Sequence, residues 1–347
     1  LGFITPSGII STGFTTPESV EVHQLLNTLN DAKISNVIME ISSHSLDLYR
    51  VKDVDIDIAI FSNLSEEHLD FHGSMEKYFQ SKLKLFQKLN SNNYAVINYD
   101  DIYSKRIINS TSAKIITYGK NKNADLFPVK TKFNLSGTYA ELKYKNKTIT
   151  LSTNLVGDYN LANIMAASAT ILSMGFKVES LEKALNELPH IPGRFEKLNS
   201  KGIGDIFIDY AHTPDAFLKL FSLINNLKSK DKEIISIFGC GGERDSAKRS
   251  KMAKICEEYS AFTYITADNP RNESINEINS EIIQGFKNNN YKIINDRKEA
   301  IRNALSKINK NSILLILGKG REAYQEIGNK KYFHSDVEIV EDYFHES

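Results

Sequence analysis

Ile206–Ile208, Ile234–Phe238, Phe262–Thr266 and Ile313–Leu317 are four apolar runs of strand length, separated by stretches patterned as helices. Strands and helices that alternate in this way build a parallel sheet with helices on its faces. Each run stops at an abrupt change of chemistry. The loops that follow read Asp209-Tyr-Ala-His212-Thr-Pro214, Gly239-Cys-Gly-Gly-Glu-Arg244-Asp245, Asp268-Asn269-Pro270-Arg271 and Gly318-Lys-Gly-Arg-Glu322. In an open α/β sheet ligands gather at the carboxyl ends of the strands. Four such loops on one edge describe a substrate-binding rim.

The first half carries a related pattern. Asn36-Val-Ile-Met-Glu40 is an apolar run that ends in a carboxylate and the polar turn Ser42-Ser43-His44, and Ile56–Phe61 leads into Asn63 and His68. As consecutive strands they would deliver Glu40 and His68 to one crevice, a hard oxygen and an imidazole for a divalent cation. Lys82 falls on the helix that follows. His68 and His72 have helical spacing, but no His-Glu-x-x-His order or cysteine partner accompanies them, so a zinc site is not indicated. Between Leu126 and Leu155 polar and apolar residues alternate around Lys145-Asn-Lys, which predicts a small antiparallel sheet with one wet face. The 347 residues suggest about two domains. The seam is Leu188-Pro-His-Ile-Pro192-Gly193-Arg194, whose prolines and glycine stop a helix. The expected fold is therefore α/β: two Rossmann-like parallel-sheet domains, residues 1–190 and 191–347, the first carrying a small antiparallel sheet.

Composition narrows the function. Basic and acidic residues balance at 43 each, which gives no sign of a nucleic-acid partner. Cys240 and Cys256 are the only cysteines, too few for a disulfide framework. No apolar run approaches the roughly 20 residues that span a bilayer, and no signal peptide is legible at Leu1-Gly-Phe-Ile-Thr-Pro. A cytoplasmic monomer without membrane insertion is expected. Gly239, Gly241 and Gly242 resemble a dinucleotide fingerprint only weakly, since Arg244 replaces its third glycine. Those glycines let backbone amides approach an anion, and Arg244 adds a bidentate grip for a carboxylate.

Asn63-Leu-Ser-Glu-Glu-His68-Leu-Asp-Phe-His72-Gly, followed by Tyr78-Phe-Gln-Ser-Lys82-Leu-Lys-Leu-Phe86, resembles the central domain of the Mur ligases, which build the peptide stem of bacterial peptidoglycan. The resemblance implies ATP-dependent amide-bond ligation through an acyl phosphate. In the family the positions matching Glu40 and His68 bind magnesium, and the lysine matching Lys82 is carbamylated to hold a second Mg2+. Carbamylation needs the free amine, which burial favours over the ammonium. The four loops are similar to the family's C-terminal domain, which binds the incoming amino acid. There Asp268-Asn-Pro-Arg271 matches the signature of members that add meso-2,6-diaminopimelate, and Arg244, Asp268, Asn269, Arg271, Gly318 and Glu322 match its binding residues. A distal carboxylate suits a guanidinium fork, while Glu322 and the Gly318 carbonyl suit the ammonium.

Thr15, Thr16, Ser42 and Arg50 match positions that hold the UDP-N-acetylmuramoyl dipeptide. Leu48 stands where the family commonly has a glutamine. Asn160 and Asn163 match nucleotide-side positions, and Arg194, Asp209 and His212 match residues that contact ATP. The family's phosphate-cradling loop precedes the segment that starts at Leu1, and nothing in this chain fits it, so a fragment of a longer ligase is expected, inactive on its own. The alternatives are an L-lysine-adding member, a non-catalytic substrate-binding fragment, and folylpolyglutamate synthetase, the last opposed by Asp268-Asn-Pro-Arg271 and Thr15-Thr-Pro17.

Overall fold

The structure is a computed structural model describing residues 2–5, 8–189 and 191–346, and it divides into two compact units. The first takes the chain up to Thr131 with Ala140–Leu151 and Asp158–Leu185; the second takes Lys132–Tyr139, Ser152–Gly157 and everything from Asn186 onward. No described helix is long and apolar enough to cross a membrane.

In chain order the elements of the first half are β1 (Gly2–Thr5), β2 (Gly8–Ser11), α1 (Ser19–Asp31), α2 (Ser43–Asp47), β3 (Ile58–Phe61), α3 (Leu69–His72), α4 (Met75–Gln87), β4 (Tyr94–Asn98), α5 (Ser104–Ile108), β5 (Lys114–Tyr118), β6 (Leu126–Asn134), β7 (Gly137–Tyr144), β8 (Lys147–Thr153), α6 (Asp158–Ser173) and α7 (Val178–Asn186). Strands β3 to β8 form one sheet in sequence order. β3, β4 and β5 are parallel, and the pair Tyr118↔Leu126 joins β5 to β6. The antiparallel strands are thus continuous with the parallel sheet. Phe79, Leu83 and Phe86 recur at helical spacing on α4 and pack on Ala59, Phe61, Ala95 and Ile97 of the strands. Ser74 caps that helix, accepting from the Lys77 amide at 3.3 Å.

One expected element is absent. The run Asn36–Glu40 is irregular rather than a strand. A strand is stable only through its ladder, and no described strand pairs with this run, leaving Ile38 98% exposed. The Glu40 carbonyl is held instead by the Thr16 hydroxyl, which donates to it at 2.8 Å.

The second half adds β9 (Glu196–Leu198), β10 (Asp205–Asp209), α8 (Pro214–Leu227), β11 (Glu233–Phe238), α9 (Ala247–Tyr259), β12 (Phe262–Ile265), α10 (Ile275–Ile283), β13 (Tyr291–Ile293), α11 (Arg297–Leu305), β14 (Ser312–Leu317), β15 (Tyr324–Ile327), β16 (Lys330–Phe333) and α12 (Asp336–Glu346). The sheet order is β13-β12-β11-β14-β10-β9. All its pairs are parallel except β9 with β10. Alternation along β14 explains why its apolar run is unbroken. Ile313, Leu315 and Leu317 face Phe217, Phe221, Met252 and Ile282 of α8, α9 and α10, whereas Leu314 and Ile316 face Ala300, Ile301, Val340 and Phe344 of α11 and α12.

A fully buried ion pair locks this unit. Arg297, at the start of α11, donates from Nε and Nη2 to the two carboxylate oxygens of Asp336, at the start of α12, at 2.8 and 2.7 Å. The guanidinium also donates to the carbonyls of Leu317 at 3.0 Å and Ala267 at 3.4 Å. Burial pushes the Asp336 carboxyl up, but Arg297 beside it overrides this and holds it well below the ordinary carboxylate range. Asp336→Asn should destabilise the second unit by about 3–5 kcal/mol in urea unfolding, because it leaves a buried guanidinium uncompensated. The pair's contribution is complete above about pH 5 and declines on acidification. The variant should lack that acid-dependent component, and equal pH profiles would refute the assignment.

Candidate functional site

The carboxyl ends of β10, β11, β12 and β14 meet around a cavity of about 290 Å³. Arg244, Asp268, Asn269, Arg271, Gly318 and Glu322 all line it, with His212 at the β10 side. Close backbone approach explains the glycines. A Cβ on Gly242 would sit 1.9 Å from the Pro270 carbonyl oxygen, and one on Gly318, whose φ is +107°, would sit 2.7 Å from an Asp268 oxygen. Arg249, buried under the glycine loop, donates to the Gly241 carbonyl at 3.2 Å and pairs with Glu273 at 2.5 Å.

Arg271 is braced from two sides. Its Nη1 donates to the Gly242 carbonyl at 2.8 Å, and its Nε lies 3.0 Å from the Glu326 carboxylate. Its own amide donates to the Glu326 carbonyl at 3.1 Å, so β15 is stitched to the Asp268–Arg271 loop. Asn269 completes the stitch, accepting from the Glu326 amide at 2.9 Å and donating to Glu322 at 2.8 Å. Burial raises the Glu322 carboxyl, but Lys319 and Asn269 together hold it below its usual range. Arg244 is exposed.

At the end of β10, Asp209 accepts from the amides of Phe195 at 2.6 Å and Ala211 at 2.7 Å. Burial pushes its carboxyl above the usual value despite those bonds. Arg194 is exposed and stacks on Tyr210, 5.1 Å from the ring centroid. His212 donates from Nδ1 to the Tyr210 carbonyl at 2.8 Å.

In the first unit Thr16 is a buried hub. Its hydroxyl donates to the Glu40 carbonyl and accepts from the Ser42 amide at 3.0 Å, while its carbonyl accepts from Arg50 Nη1 at 3.0 Å. Thr16 therefore fixes backbone, and Thr15 is the exposed member of the pair. Ser42 caps α2, accepting from the Ser45 amide at 3.1 Å. Arg50 pairs with Glu18 at 2.6 Å, and its Nε is buried without a partner.

His68 and Lys82 converge on Tyr78, and Glu40 lies near enough to act on the charge of Lys82. The His68 ring lies 5.9 Å from the Tyr78 ring, and Lys82 Nζ lies 5.2 Å from its centroid. Burial lowers the Lys82 ammonium pKa, against the opposing pull of Glu67 and Glu40. No group of three His, Cys, Asp or Glu among the described residues could hold a metal ion. The donor set is a carboxylate, an imidazole and an amine that burial shifts toward its neutral form. A carbamate on that amine would add the missing hard oxygens, so the residues fit magnesium in that state. Sequence reasoning named His44 and His72 without giving either a role; His44 lies 5.0 Å from the His68 ring, and His72 stacks on Tyr78 at 5.0 Å and pairs with Ser43 at 2.9 Å. Their signal was the histidine-rich spacing itself. Asn160 and Asn163 lie on α6, the first buried and the second exposed.

Two family models match the chain, the Mur ligase middle domain over residues 2–171 and the Mur ligase glutamate ligase domain over residues 193–320. A UDP-N-acetylmuramoyl-L-alanyl-D-glutamate–2,6-diaminopimelate ligase of Fusobacterium nucleatum is 42% identical over 330 residues, covering 94% of this chain and 67% of the relative. One of the same name from Aquifex aeolicus is 40% identical, covering 96% and 68%. A solved structure with that ligase title superposes with a TM-score of 0.67 at 30% identity, over 99% of this chain and 69% of the other. The chain thus spans about two thirds of these relatives. It belongs to the Mur ligase family.

Proposed function

We propose that this chain works in peptidoglycan precursor synthesis as part of an ATP-dependent ligase that joins meso-2,6-diaminopimelate to UDP-N-acetylmuramoyl-L-alanyl-D-glutamate. The observation that carries the reading is the mixed-charge cavity at the β-strand ends, where two arginines and two carboxylates surround a space of about 290 Å³. The distal centre of diaminopimelate bears a carboxylate and an ammonium. Arg271 and Arg244 supply forks for carboxylates, while Glu322 and Asp268 supply acceptors for the ammonium. Identity above 35% to ligases that bear the diaminopimelate name supports the same choice.

In this reading residues 1–190 serve the nucleotide and the acyl donor, and residues 191–347 select the amino acid. Arg50 is assigned to the dipeptide carboxylate with the exposed Thr15, and Ser42 and Thr16 hold the surrounding backbone. Asn160, Asn163, Arg194, Asp209 and His212 are assigned to ATP. Magnesium, when bound, supplies positive charge for the phosphoryl oxygens. Glu40, His68 and carbamylated Lys82 would hold it. The amine of the incoming amino acid then replaces phosphate on the activated carboxyl group, with no covalent enzyme intermediate.

Arg271→Ala in the full-length ligase should lower kcat/KM for diaminopimelate by roughly 30-fold or more, with far less effect on kcat/KM for L-lysine. Equal losses would remove Arg271 from recognition of the distal carboxylate. Lys82→Ala should lose activity by about 10²- to 10³-fold, and millimolar acetate or formate should restore part of it. A fully active variant would exclude Lys82 from the metal site.

A further inference from the structure

We propose that Lys319 sets the charge of the amino-acid site from behind, and so acts as a specificity-determining positioning residue against substrates whose side chain ends in a bare ammonium. This rests on the reading of the cavity as the diamino-acid site. Lys319 sits at the end of β14, is 1% exposed, and does not line the cavity. Its Nζ lies 2.5 Å from Glu322 Oε2 and 3.0 Å from Asn269 Oδ1. Asn269 donates to that same Glu322 oxygen. The carboxylate assigned to the substrate ammonium is therefore already bonded to a cation of the protein.

The charges around the cavity follow from the side chains named. Arg244, Lys248, Arg271 and Lys319 are four cations, and Asp268, Glu322 and the Glu326 that pairs with Arg271 are three anions, a balance of one positive charge. A distal centre with both an ammonium and a carboxylate is neutral and meets no net repulsion. A distal ammonium alone adds a second positive charge in a partly desolvated space, where Coulomb terms fall off slowly. Lys319 supplies the charge that makes the difference. A lysine that merely pinned the loop would affect both substrates alike.

The test compares kcat/KM for meso-diaminopimelate and L-lysine in the full-length ligase bearing Lys319→Met or Lys319→Arg. Lys319→Met should raise the lysine-to-diaminopimelate ratio by about tenfold or more, chiefly through KM for lysine, and Lys319→Arg should keep the wild-type ratio. A Met variant that loses both activities in parallel, with its ratio unchanged, overturns the proposal. If that variant does not fold, Glu322→Gln provides the opposite test, since it leaves Lys319 uncompensated. It should lower the ratio by about tenfold, and an unchanged ratio overturns the proposal. A wild-type ligase that uses neither amino acid instead overturns the reading of the cavity itself.

Discussion

The pair of Arg297 and Asp336 is the constraint on which the second unit depends. Taking two charges fully out of water is costly, and the cost is offset only when every donor and acceptor is met. Here both Asp336 oxygens take guanidinium hydrogens, one also contacts His334 at 2.8 Å, and two further guanidinium hydrogens reach the Leu317 and Ala267 carbonyls. Those two carbonyls immediately precede Gly318 and Asp268. One buried charge pair therefore ties the starts of α11 and α12 to the points where two rim loops leave the sheet. The loops carry the chemistry, and the pair beneath them fixes where they begin.

The second unit was legible because its strands are covered on both faces. A run such as Ile313–Leu317 has no polar alternation to obscure it, and its abrupt polar end marks the rim. The run Asn36–Glu40 had the same composition but no ladder partner, and composition cannot register a partner's absence. The antiparallel segment was recognised by its alternation, while its fusion to the parallel sheet hinges on the single pair Tyr118↔Leu126, which no local pattern encodes. The candidate residues on the loops after β11, β12 and β14 line one cavity at the strand ends. Lys319 was given no role because its partners Glu322 and Asn269 come together only in the fold, and Glu326 because it lies on a short hairpin strand half-exposed along most of its length.

Two lysines in this chain show how surroundings divide one side chain into two kinds of group. Lys82 faces an aromatic ring and makes no ion pair with a carboxylate among the described residues, so desolvation governs its chemistry and favours the amine. Lys319 is more deeply enclosed, yet it touches a carboxylate directly and serves as an internal counter-ion. The difference is contact with an anion rather than depth.

Gly242 has a consequence beyond its own turn. With the Pro270 oxygen 1.9 Å from where a side chain would begin, the glycine loop and the Asp268–Arg271 loop cannot change shape separately. Transplanting either segment alone into a relative with a different amino-acid preference would import a steric conflict along with the new side chains, so the two would have to be exchanged as a single module.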